Sequence, residues 1–125
     1  MLGEAIRDIL LSNSTVYGLV GSRIYPNELP LKTSFPALTY SFPSDPFKIV
    51  MRSARCQINC WAADYTTREN LKLAVENALK FFTGVKKDVT IEIIFPIGYY
   101  DHYKDKTSGF SYVPIDFKVN YYPQR

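Results

Sequence analysis

The stretch Ala54–Gly84, ARCQINCWAADYTTRENLKLAVENALKFFTG, carries two periodicities in succession. From Ser53 to Ala62 the residues alternate. Ala54, Cys56, Ile58, Cys60 and Ala62 fall on one face, and Arg55, Gln57, Asn59 and Trp61 on the other. A period of two is that of a β-strand with one buried side. The apolar face is made of small residues and suits a closely packed helix. The opposite face is polar with one large ring, so it meets solvent or a partner. Further on, Leu71, Val75, Ala78 and Phe82 form one helical stripe, widened by Ala74 and Leu79. Thr66 followed by Glu69 reads as a capping box. Gly84 reads as the left-handed residue that closes the helix.

Working outward, Leu2, Ala5, Ile6, Ile9 and Leu10 recur at helical spacing, and the run SNST, Ser12–Thr15, ends that helix. A second short helical turn is expected in TVYGLVGSRIY, kept short by Gly18 and Gly21. Tyr25–Phe35 holds two prolines without periodicity and reads as irregular. FPALTYSF reads as a strand with Pro36 at its start, and PSDPFKIVM as a turn or extended loop that leaves Phe47 near a tip. VTIEIIF places Ile91, Ile93 and Phe95 on one face. YVPIDFKVNYY does the same with Val113, Ile115, Phe117, Val119 and Tyr121. Between these two lies PIGYYDHYKDKTSG, a Tyr-rich connection long enough to be functional or mobile. The expected fold is α+β, one domain over residues 1–125. Its order is α-β-β-α-β-β, with helices on one face of a mostly antiparallel sheet of about four strands.

Composition bounds the function. With 46% hydrophobic and 22% charged residues the chain resembles a globular domain large enough to bury a core. Ten Tyr and eight Phe suit either an aromatic-rich sheet or an interface. Fifteen Lys and Arg against 12 Asp and Glu give +3, too little clustered charge to imply nucleic acid. Lys86-Lys87, followed at once by Asp88, reads as a solvated turn. No segment approaches the roughly 20 apolar residues of a membrane span. The start lacks the pattern of a signal peptide, so a cytoplasmic origin is expected.

Chemistry is sparse. Cys56 and Cys60 share a strand face about 13 Å apart, beyond the disulfide limit of about 7 Å. His102 is the only histidine, so a zinc site lacks ligands and buried free thiols are expected. His102 with Asp101 and Asp105 forms an unspecific acid–base or metal cluster without a matching nucleophile. There is no nucleophile elbow and no phosphate-cradling glycine loop. The run FKIVMRSAR has Lys48, Arg52 and Arg55 near a Phe, and reads more readily as a solvated arm than as a nucleic-acid strip. No catalytic residue, metal or cofactor is expected. A small Tyr-rich domain with long loops suits an assembly component.

The order of motifs adds a resemblance. Val20-Gly21-Ser22-Arg23-Ile24-Tyr25-Pro26, then Pro36-Ala37-Leu38-Thr39-Tyr40, then Arg55, Gln57, Ile58, Trp61 and Ala62, follow one another before the helix. A closing strand with Tyr112, Asp116, Phe117 and Val119 comes last. Together these resemble the phage tail-completion family, the tail terminator or head–tail joining proteins, over residues 2–122. The resemblance implies a structural, non-enzymatic protein of the virion, assembled in the host cytoplasm. It implies a ring, usually hexameric, that caps the tail tube and docks it to the head connector, with DNA passing through non-specifically. A small-ligand or adaptor module outside any virion is the alternative.

In a ring, each copy uses two different patches head to tail. The arm Asp45–Arg52 is one candidate, because Phe47, Ile49 and Met51 are costly to leave exposed beside Lys48 and Arg52. The second is the Tyr-rich loop with Tyr99, Tyr100 and Tyr103. Arg23, Lys48 and Arg52 are the candidates for the DNA channel.

Overall fold

In the computed structural model, residues 1–48, 50–106 and 109–122 are described. Helix α1, Leu2–Ser12, buries Leu2, Ala5, Ile6, Ile9 and Leu10, the stripe that the spacing predicts. Asn13 is extended and ends it, and its side chain accepts from the amides of Thr15 and Val16 to cap α2, Ser14–Val20. The chain reverses at Gly21, whose φ of 60° is open to glycine without strain. It enters β1, Ile24–Pro26. Arg7 of α1 holds this strand, its Nε donating to the carbonyl of Ile24 at 2.9 Å.

Strand β1 lies parallel to β2, Ala37–Ser44, with Ile24 opposite Leu38. This corrects the sequence expectation, which runs the short helical turn on to Tyr25 and begins an irregular segment there: α2 stops at Val20, and three strand residues are too few to show a period. Strand β3, Arg52–Trp61, pairs antiparallel with β2 and with the closing strand. Ala54, Cys56, Ile58 and Cys60 face the helices as expected, and Arg55, Gln57 and Asn59 face away.

The cap of α3, Tyr65–Leu79, corrects the expectation at Thr66. Asp64 is the N-cap, its carboxylate accepting from the Thr67 amide at 2.9 Å. An ionised acceptor at the positive end of the helix does this better than a hydroxyl. The hydrogen bond from the Thr67 amide holds the Asp64 carboxyl below its ordinary range. Glu69 turns to Lys72 at 2.8 Å instead of back to the cap. Gly84 does not close the helix either. The helix stops at Leu79, and Phe81, at a φ of 60°, drops its amide onto the Ile94 carbonyl. Gly84 begins β4, Gly84–Lys86.

A hairpin through Lys87 and Asp88 leads to β5, Val89–Tyr99. Both turn residues have positive φ, 49° and 64°, the geometry of a type I′ turn. The solvated turn expected at Lys86-Lys87 is present only at Lys87 and Asp88, since Lys86 ends β4 and reaches Asp8 at 3.6 Å. Strand β5 corrects the face expected for Ile91, Ile93 and Phe95. A bulge between Ile91 and Ile93 inserts one residue, so Ile91 and Ile94 are buried while Phe95 is exposed. The long connection contains a strand, β6, Tyr103–Lys104, paired with the start of β7, Ser111–Tyr122.

The sheet runs β1-β2-β3-β7-β5-β4, with β6 added to β7. The four long strands are those that alternation picks out, but among the described residues the sheet has seven, and the element order is richer than α-β-β-α-β-β. The helices and one face of the sheet share a single core with Phe117, Ile115 and Ile58 at its centre. The class is α+β.

Candidate functional site

Two surfaces stand at opposite ends of β3. At its start lies the arm, residues 45–51. Asp45 is tied inward, accepting from the Tyr121 hydroxyl at 2.6 Å. That bond and burial raise the tyrosine's pKa, burial contributing more. Arg52 braces the arm: its Nε donates to the Lys48 carbonyl at 2.9 Å, and its guanidinium lies 4.6 Å from the Phe47 ring centre. Phe47 is nevertheless 83% exposed, with Val50 and Met51 also open to solvent. Ile49 lies outside the described residues. Beside the arm, a groove of about 620 Å³ runs between the start of α1 and the sheet, walled by Tyr40, Phe42, Arg52 and Tyr121.

At the far end, the Tyr-rich connection is fastened at its base. Tyr99 turns to the helix side, its hydroxyl bonded to Glu76 and its ring 4.2 Å from the Lys72 ammonium. Tyr100 turns to the opposite face, as the period of two demands. Its hydroxyl donates to Asp116 at 2.8 Å and accepts from Arg55 at 3.2 Å. Its proton is therefore held above the ordinary tyrosine range, chiefly by the bond to Asp116. Tyr103 stacks on Tyr112, which packs 4.4 Å from Trp61. Trp61 in turn donates to the Thr39 hydroxyl at 3.0 Å.

The centre of the open face is a network that sequence reading missed. Asp116 is buried and accepts from Arg55 Nε at 3.0 Å, Arg55 Nη2 at 2.6 Å and Gln57 Nε2 at 3.1 Å, besides Tyr100. The bond to Asp116 and its charge raise the Arg55 pKa. The sequence signals are that Arg55 and Asp116 both occupy outward positions of their strands, and that Arg55, Gln57 and Asp116 are all positions of the motifs that carry the resemblance.

Under this end, a cavity of about 420 Å³ opens between the 27–33 segment and the β6–β7 hairpin. Glu28, Leu31, Asn59, Trp61 and Tyr112 are among its walls. Asn59 is also a wall residue, but its Oδ1 is closed off from solvent and has no hydrogen-bond partner among the described residues.

The remaining candidates are placed as follows. Arg23 donates from Nε to the Pro36 carbonyl at 2.9 Å and from Nη2 to that of Leu19 at 3.4 Å, a clamp between α2 and β2. His102 and Asp101 approach to 3.6 Å, both exposed, and neither lines these two cavities, whereas Asp105 of the same expected cluster is a wall of the second. Among the described residues, no three His, Cys, Asp or Glu side chains converge on a metal-binding point. Cys56 and Cys60 are free and buried, and burial pushes both thiols far up. No described helix is long and apolar enough to cross a membrane.

The fold is shared with a virion chain. A chain in the solved virion of a native gene transfer agent particle superposes with a TM-score of 0.71 at 15% identity. The match covers 98% of this chain and 95% of that one. No family model and no curated protein sequence matches the chain.

Proposed function

We propose that the protein is a structural component of a tailed virion. In this reading it forms a ring, hexameric by the resemblance, that caps the tail tube and joins the tail to the head connector. The observation that carries it is the fold shared end to end with a virion chain. The motif order from Val20 to Val119 supports the finer assignment. The anatomy is consistent with it, since a braced sheet holds out two chemically different surfaces at the two ends of one strand.

The protein acts by presenting surfaces, without a catalytic step. Its partners are further copies of itself, the tail tube protein and the head-completion protein, and DNA passes through the ring without sequence reading. Its place is the head–tail interface, reached from the host cytoplasm during assembly.

Light scattering on the purified protein, alone and with tail tubes from the same genome, tests this. A ring that forms alone or on the tubes is expected, and lysates lacking the protein should hold separate heads and tails. A permanent monomer that ignores tubes, with heads and tails joined normally in its absence, would sink the reading.

A further inference from the structure

Among the described residues the outermost strands of the sheet, β1 and β4, have three residues each. Their inner neighbours, β2 and β5, are longer and run past them. Pairing of β1 with β2 stops at Pro26 opposite Tyr40, while β2 continues to Ser44. On the other side β4 covers β5 from Val89 to Ile91, and Phe81 and Phe82 extend the cover to Ile94. From Phe95 to Tyr99 no described strand pairs with that edge of β5. An open edge is a template for another strand, and this one follows an apolar, β-branched run, VTIEIIF, Val89–Phe95. Phe95, Ile97 and Tyr99 are 38%, 60% and 45% exposed along it.

We infer that both open edges are closed to strand addition, and that Pro96 holds the more exposed one closed. The alternation of backbone groups along β5 decides it. Ile94 turns its amide and carbonyl outward, to Phe82 and Phe81, so the amide of residue 96, two positions on, would face the same way. Proline stands there and has no N–H to offer. The ladder to β7 loses nothing, because the missing donor lies on the side away from it. A register shift between Pro96 and Gly98 then bends the strand where an added one would have to follow it. The β2 edge is built alike, with Pro43 inside the register shift between Ser41 and Ser44. A proline at a bulge, beyond a three-residue outer strand, thus occurs at both sides of the sheet. Extended segments, those of other copies included, are turned away from the backbone. Neighbours of this protein therefore meet its side chains and do not lengthen its sheet, whether or not the chain forms a ring.

Pro96→Val tests this, because it restores the outward donor without adding charge or removing an apolar side chain. In a symmetric antiparallel pair each copy gains one donor, so the concentration at which copies associate should fall about tenfold, read by light scattering. Hydrogen exchange should show the new amide at position 96 protected in the associated form. Ile97→Lys in the same chain should return association to the wild-type level, by setting like charges against each other across the new pair. The urea midpoint of Pro96→Val should match the wild type, and Pro96→Ala, which adds the same donor with a smaller side chain, should behave alike. Folded variants that associate no more readily than the wild type, or that associate with position 96 still exchanging freely, would overturn the inference. A wild-type assembly whose copies pair backbone to backbone along the open edge of β2 or β5 would overturn it equally.

Discussion

Arg55 and Asp116 meet diagonally across β3 and β7, with guanidinium Nη2 2.6 Å from carboxylate Oδ2. Arg55 is nearly half exposed while the Asp116 side chain is only 4% so, which makes the aspartate the buried hub and the arginine its lid to solvent. Because Tyr100 joins the same carboxylate, the base of the Tyr-rich connection is pinned to the two central strands. The surface at the far end of β3 thus inherits its position from one buried acid.

Replacing that acid tests its role. Asp116→Ala leaves the donors of Arg55, Gln57 and Tyr100 without their acceptor. We expect a stability loss of about 1–3 kcal/mol, read as a lower urea midpoint with an unchanged slope. Tyr100→Phe should lose less and should speed amide exchange in the Tyr99–Tyr103 segment. An Asp116→Ala protein as stable as the wild type would remove the network from the account.

How much of this was legible follows from the range of the interactions. The alternation of β3 and the helical stripes of α1 and α3 are local, and the sequence displayed them. The cap at Asp64 was misread by two residues because Thr66 and Glu69 satisfy the same pattern, and only the geometry shows Glu69 turned to Lys72. The face of Ile94 depends on a bulge against β7, and the β1–β2 pair on a parallel register, neither of which has a local signature. The arm and the Tyr-rich connection were located by their odd composition. Their tethers, Asp45 to Tyr121 and Tyr100 to Asp116, join residues too distant in sequence to be paired by eye.

Alkaline pH should destabilise the fold. Burial raises the pKa of Cys56, Cys60, Tyr40 and Tyr121 in the folded chain. An unfolded thiol ionises near its ordinary 9.0 while the folded one keeps its proton. Stability is therefore complete below that pH and is lost as pH rises above it. Urea midpoints at pH 7, 9 and 10 should fall in that order, and Cys56→Ala with Cys60→Ala should flatten part of the slope. Native protein at pH 8 should leave a thiol reagent unconsumed until denaturant is added. A rapidly reacting native thiol would contradict the buried assignment.

The β4–β5 turn offers a gain. Lys87 and Asp88 both hold left-handed backbone that L-residues adopt at a cost. Lys87→Asn with Asp88→Gly installs the pair that a type I′ turn favours. A rise of about 0.5–2 kcal/mol is expected, with the Lys86–Asp8 contact kept. No rise in melting temperature would mean that the turn is relaxed as it stands.

Trp61 is the single tryptophan of the chain and forms a wall of the cavity, so its fluorescence reports on that end alone. At 8% exposure it should emit from an apolar setting and resist acrylamide. Trp61→Phe retains a ring against Tyr112 but leaves the buried Thr39 hydroxyl without its donor. The loss should be about 1–3 kcal/mol, and Thr39→Val in the same chain should recover part of it because both polar partners are then gone.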